Sequence, residues 1–187
     1  MPASICLKPP PFEGPIRGLR GVSGVALPVY AQNILGLDLG THTGWAIRKR
    51  GGAILYGTAK FPNPQKAHPG QRWQAYRMWL SGLLDKYQIH VVAYEDVRRH
   101  LGTDAAHAYG AFEALLQMTA AGHNVELLPV GVGVIKKAFT GNGRADKQDM
   151  LRQARLAGFS PDTDNAADAL AVLHWAERVQ RSEQGGG

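Results

Sequence analysis

Short apolar runs closed by glycine turns open the ordered part of this chain. Farther along they give way to stretches in which apolar residues recur every three to four positions. The first pattern fits strands and the second amphipathic helices. Asn33–Leu39, Gly44–Arg48 and Ala53–Ala59 therefore predict three strands, with Lys49-Arg50-Gly51-Gly52 as a hairpin turn between the last two. Trp73, Tyr76, Leu80, Leu83, Leu84 and Tyr87 stand at helical spacing and predict a helix over residues 70–87. His90–Glu95 reads as a fourth strand. Ala105, Ala108, Phe112, Leu115, Leu116 and Thr119 mark a second helix, followed by a short strand at Val125–Pro129. Helical patterns at Val132–Phe139, Ala145–Ala157 and Ala166–Val179 complete the chain, and no internal repeat is evident.

Three hairpin-like strands followed by alternating helix and strand predict an α/β fold. Its core is a mixed five-stranded sheet, three antiparallel strands and then parallel ones, flanked by helices. A length of 187 residues with 44% hydrophobic content suffices for one well-packed domain and is short for two, so one core is expected at 33–180. Residues 1–32 carry Pro2, Pro9, Pro10, Pro11, Pro15 and Pro28 among several glycines, which blocks helix and central strand alike and predicts a flexible arm. Residues 181–187, closing on Gly185-Gly186-Gly187, predict a disordered tail.

Lys and Arg number 21 against 15 Asp and Glu, giving a net charge of +6 and a pI near 9.6. That balance favours a polyanionic partner such as nucleic acid, yet it describes a merely soluble basic protein equally well, so location decides. Arg98, Arg99 and His100 follow directly on Glu95, and Lys136, Lys137, Arg144 and Lys147 cluster ahead of the last helices. The single cysteine, Cys6, excludes an intrachain disulfide framework and cysteine-rich zinc modules and fits a reducing compartment. No apolar run approaches the roughly 18 residues of a membrane span. The arm lacks both a secretory apolar core and an Arg/Ser-rich transit helix, so a cytoplasmic protein is expected.

Three carboxylates change the picture more than the charge does. Asp38 lies in Ile34-Leu35-Gly36-Leu37-Asp38-Leu39-Gly40-Thr41, Glu95 follows Val91-Val92-Ala93-Tyr94, and Asp168 is embedded in Ala166-Ala167-Asp168-Ala169-Leu170-Ala171. An ionised group in such apolar surroundings needs a partner, a hydrogen bond or a metal. In isolation Asp38 reads as a strand-end acid satisfying turn amides; together with Glu95 and Asp168 it suggests one oxygen-lined metal site. Hard divalent ions such as Mg²⁺ prefer oxygen ligands. A pair of them can activate water and stabilise the leaving oxygen in phosphodiester cleavage.

The same segments resemble the acidic motifs of the RuvC-type Holliday-junction resolvases of the ribonuclease H-like superfamily, most like the phage-type branch. The resembling runs are Leu35–Thr41, Ala93-Tyr94-Glu95-Asp96-Val97 and Ala166–Ala171. Lys136 followed by Gly141-Asn142-Gly143-Arg144-Ala145-Asp146-Lys147 is similar to the family's K-x4-G-x-G-x-A-x-K segment, and the likeness covers residues 33–178 in order. It implies a ribonuclease H-like fold, with metal ligands at Asp38, Glu95 and Asp168. Lys147 is then near the active-site phosphate and Lys136 is a second basic contact. It also implies a homodimer making paired nicks in a four-way DNA junction with Mg²⁺ or Mn²⁺, two ions per site. Arg98, Arg99, Lys137 and Arg144 complete the basic residues expected to meet DNA.

Two positions depart from the pattern. Asn165 stands where the family commonly has a further acid; it could ligate through its amide oxygen or be an inactivating change. Asp164, four residues before Asp168 on the same helix face, is either a replacement ligand or the N-cap of the final helix. Arg98 occupies a position where some resolvases carry an aromatic wedge, which keeps flaps and forks open as substrates. A junction-binding protein without catalysis, and an actin-like ATPase suggested by Gly36–Thr41, are the remaining readings.

Overall fold

The computed structural model describes residues 32–65, 68–97 and 102–184. The arm up to Ala31, and Arg98, Arg99 and His100, lie outside the described residues. The described elements are β1 (Ile34–Asp38), β2 (His42–Arg48), β3 (Ile54–Lys60), α1 (Gly70–Tyr87), β4 (Val91–Asp96), α2 (Thr103–Gly122), β5 (Glu126–Gly131), α3 (Val132–Thr140), α4 (Lys147–Leu156) and α5 (Asp164–Gln184). The strands form one sheet in the order β3-β2-β1-β4-β5. Its first two pairings are antiparallel and its last two parallel, the mixed α/β sheet that the sequence predicts.

The change of strand direction falls on β1. Because β1 and β4 run parallel, their carboxyl ends reach the same edge. The last pair in register is Leu37 and Tyr94, and Asp38 and Glu95 are the residues that follow on the two strands. Alternation then sorts the side chains. Leu35, Leu37, Trp45, Ile47, Val92 and Tyr94 face a core with α1 and α2, where Tyr76, Leu80, Phe112 and Leu116 are buried. Ile34, Ala46, Val91 and Ala93 face the opposite core, with α3, α4 and α5. Asp38 and Glu95 fall on this second side. The β2–β3 hairpin closes as expected: Gly52 donates to the Lys49 carbonyl at 2.8 Å, Lys49 donates to Ala53 at 2.9 Å, and Gly52 takes φ +82°.

Helix α5 lies directly on the centre of the sheet. It can do so because its inner face is built of Ala166, Ala167, Ala169, Ala171 and Ala176, all buried. The strands beneath present glycines. A Cβ on Gly36 would stand 2.8 Å from the Ala169 carbonyl oxygen and the Leu173 nitrogen, and one on Gly44 would overlap the Asn165 carbonyl. Gly44 is paired with Asp38 across β1 and β2. The closest helix–sheet contact is therefore next to the carboxylate. At the far end, Arg48 of β2 forms a buried ion pair with Glu177 of α5, which fixes the helix lengthwise.

Several boundaries differ from the sequence reading. α4 starts at Lys147 rather than Ala145 because Asp146 caps it, exchanging side-chain and backbone bonds with Asp149. α5 starts at Asp164 because the Thr163 hydroxyl accepts from the Ala166 N–H at 3.1 Å, so the cap is Thr163 and not Asp164. The same helix runs to Gln184, so residues 181–184 are helix rather than tail. On α1 the buried stripe includes Trp79, whereas Trp73 is only half-buried.

The seat of α5 is testable through its glycines. Gly44→Ala should cost about 3 kcal/mol or more, since backbone rather than a flexible side chain must give way. Gly110→Ala, on the exposed side of α2 with open space around it, should gain about 0.5–1 kcal/mol. Denaturant unfolding of the two variants measures both.

Candidate active site

Asp38 closes β1, Glu95 lies near the end of β4, and Asp168 sits in the second turn of α5. All three are half-buried. Their electrostatics show one neighbourhood. The Asp38 carboxyl is pushed well above its ordinary value by burial, and then by the charges of Glu95, Asp168 and Asp164, with Lys147 opposing. Burial raises Glu95 from 4.5 to about 7, Asp168 adds to the rise, and Lys136 works against it. Asp168 goes from 3.8 to about 6 through burial and then Asp164, against Lys136 and Lys147.

Two lysines temper this charge in different ways. Lys136 Nζ donates to the Ala145 carbonyl at 2.7 Å and thereby ties α3 to the glycine loop that leads into α4. Exposed Lys147, in the first turn of α4, bonds Asp164 Oδ2 at 2.5 Å across to α5. That bond holds the Asp164 carboxyl below its ordinary range and the lysine above its own. Glu95, Asp168, Lys136 and Lys147 line a cleft of about 160 Å³ walled by Val132, Ile135, Met150 and Val172.

The donor set suits a hard cation, because it consists of carboxylate oxygens and those of Asp38, Glu95 and Asp168 are raised by burial and then by neighbouring acids, a repulsion a cation relieves. Among the described residues no three Asp, Glu, His or Cys side chains are drawn close enough to grip one ion between them. The acids share an electrostatic field rather than a closed cage. Asp38, Glu95, Asp168, Asp164, Lys136 and Lys147 are thus brought to one edge of the sheet. Lys137 is not: it is exposed and lines a separate groove with Trp175 and Arg178. Arg144 is exposed on the loop before α4, where its N–H donates to Asn142 Oδ1 at 3.0 Å. Asn165 is half-buried, its carbonyl facing Gly44. Asp96 points to the other face of the sheet from Glu95, as strand alternation requires.

Sequence reasoning missed the residues that brace this edge. Buried Arg72 of α1 donates to Thr41 Oγ1 at 2.6 Å and Asn63 Oδ1 at 2.5 Å, with its guanidinium over Trp73 and Phe112. It fastens the turn that follows Asp38. The Thr43 hydroxyl closes the same turn on the Gly40 carbonyl at 2.7 Å. An arginine in an amphipathic helix gives no sign in sequence of which way it points.

A mixed sheet in this strand order, with acids gathered where β1, β4 and α5 meet, defines a ribonuclease H-like nuclease domain. Residues 34–174 match the family described as crossover junction endodeoxyribonuclease RuvC. The crossover junction endodeoxyribonuclease RuvC of Corynebacterium jeikeium is 35% identical over 153 residues, covering 74% of this chain and 89% of that protein. Its counterpart from Ehrlichia canis is 30% identical over 145 residues, covering 75% and 92%. Among solved structures, Thermus thermophilus RuvC in complex with a Holliday junction substrate superposes with a TM-score of 0.69 at 20% identity, covering 81% of this chain and 96% of that one. The chain belongs to the RuvC family of crossover junction endodeoxyribonucleases. This is a family of metal-dependent nucleases. Membership replaces the actin-like ATPase reading.

The raised carboxyls carry a signed pH dependence. Glu95 holds its proton up to about pH 7 when folded and to 4.5 ordinarily. The native state therefore binds the proton more tightly, and stability falls as pH rises through that interval. In EDTA, Glu95→Gln should raise stability on the order of 1–3 kcal/mol at about pH 8, and the gain should vanish near about pH 4.5. Thermal melts of both proteins at the two pH values check this.

Proposed function

We propose that this chain is a structure-selective DNA endonuclease that resolves four-way junctions by paired phosphodiester hydrolysis. The observation that carries the reading is the convergence of Asp38, Glu95 and Asp168 on one sheet edge beneath Lys136 and Lys147. Family membership and the resemblance of the fold to a junction-bound resolvase support it.

In this reading Asp38, Glu95 and Asp168 hold Mg²⁺ or Mn²⁺, two ions per site, and Asp164 stands at the rim. The ions supply a more acidic attacking water and a stabilised leaving oxygen. The protein does the rest. The β1–β4 pairing and the α5 seat fix the three carboxylates, and the apolar wall of Val132, Ile135, Met150 and Val172 limits water around them. Lys147 is exposed, and an exposed ion pair is worth only about 0–1 kcal/mol, so a DNA phosphate can displace Asp164 from it. Lys136 serves a second phosphate near the glycine loop. Arg98, Arg99, Lys137 and Arg144 extend the basic contacts along the DNA arms, giving affinity without base information. A homodimer places two such sites on opposite strands.

A junction-binding protein without catalysis is the second reading, favoured by Asn165 in place of an acid. A nicking assay on a labelled immobile four-way junction, a flap and a linear duplex, in Mg²⁺, Mn²⁺ or EDTA, separates the two. Metal-dependent paired nicks confined to the junction are expected; tight junction binding with no nick supports the binder, and preferred cutting of the flap moves the substrate. Asp38→Asn should abolish nicking while leaving junction binding intact or stronger, and unchanged nicking would remove Asp38 from the mechanism.

A further inference from the structure

Where β4 leaves the sheet, its backbone is completed by a side chain. β1 is paired with β4 as far as Leu37 and Tyr94, whereas β5 accompanies β4 to Asp96. From Glu95 onward one edge of β4 therefore has no strand paired with it among the described residues. A parallel neighbour would accept from one N–H and donate to the carbonyl two residues earlier, both from a single residue. The Tyr109 hydroxyl does both. It donates to the Glu95 carbonyl at 2.7 Å and accepts from the Val97 N–H at 3.2 Å. A phenol is suited to this because it is donor and acceptor at one atom.

Tyr109 is itself held firmly. It is 8% exposed, it sits on α2, and it packs in the core with Phe112 and Leu116. Burial pushes the phenol well up from its ordinary 10, so it stays a donor at any working pH. The Glu95 side chain leaves the strand on the opposite face, toward Asp168 and Lys136. A shift of the Glu95 backbone would therefore carry its carboxylate across the cleft, and among the described residues Tyr109 makes the side-chain bonds to the Glu95 and Val97 backbone that restrain it.

We propose that Tyr109 is a positioning residue for nicking: its hydroxyl stands in for the missing strand, fixing the Glu95 backbone and hence the Glu95 carboxylate. This rests on Glu95 acting in the reaction, and two variants keep the claims apart. Glu95→Gln tests the site; if it nicks normally, the assignment of Glu95 fails. With Glu95→Gln inactive, Tyr109→Phe tests the bracket, because it deletes one oxygen and keeps the packed ring. The expected result is a kcat about tenfold to a hundredfold lower on a four-way junction, since small misplacements of reacting groups have effects of that size. The KM and the gel-shift Kd for the junction should stay within about twofold, and the deficit should be constant across neutral and alkaline pH.

Wild-type kcat in Tyr109→Phe overturns the proposal. So does a parallel loss of kcat, junction binding and melting temperature, which marks a structural residue only. Amide exchange in the unaltered protein gives a reading that needs no variant: the Val97 amide should be protected, and free exchange there overturns the bracket.

Discussion

Repulsion between half-buried carboxylates is the constraint to which the rest of this structure answers. Asp38, Glu95 and Asp168 each raise or are raised by a neighbouring acid, and each is partly withdrawn from water, so every element near them has to hold a charge where it is least welcome. Parallel pairing brings the first two together, α5 brings the third, and Lys136 and Lys147 reduce the cost from the rim. At the other end of α5 the buried pair of Arg48 and Glu177 resists any tilting by which the helix could escape the crowding.

Much of this was legible in the sequence. Strands with apolar runs and helices with a clear stripe are found within three residues of their predicted bounds, apart from the end of α5 at Gln184 rather than Val179, because both patterns report burial directly. The acids were legible for a related reason: a carboxylate in Val-Val-Ala-Tyr-Glu or Ala-Ala-Asp-Ala is improbable as mere packing. The family resemblance implied a mixed five-stranded sheet without giving the order of its strands, and the observed sheet is of that kind. The rest depends on three-dimensional neighbours that no spacing announces. Thr163 gives no sign in sequence of being the cap, because Asp164 beside it is an equally good capping type. Arg72 and Tyr109 look like ordinary helix residues until their partners, Thr41 and the Glu95 backbone, are seen across the fold. Lys136 and Lys137 are adjacent in sequence, yet α3 turns one into the cleft and the other into a different groove.

Asp164 illustrates how a residue's role follows from its surroundings. Displaced from the cap by Thr163, it is free to face α4, where Lys147 meets it. The pair links the start of one helix to the start of another at the mouth of the cleft. In the proposed reading it also gives the resting protein an internal counterion where a backbone phosphate would carry the same charge.

The contact of α5 with Gly36 and Gly44 has a mechanical consequence. Where helix and sheet meet backbone to backbone, there is no layer of rotamers between them to deform, and a closely packed interface yields little. The carboxylates therefore cannot relax their repulsion by drifting apart with the elements that carry them. It is discharged by a proton or by a cation, and the frame is ready before either arrives. For a cation held there as proposed, affinity would follow from stiffness, because little of the binding energy would be spent on rearrangement, which is the advantage of preorganisation.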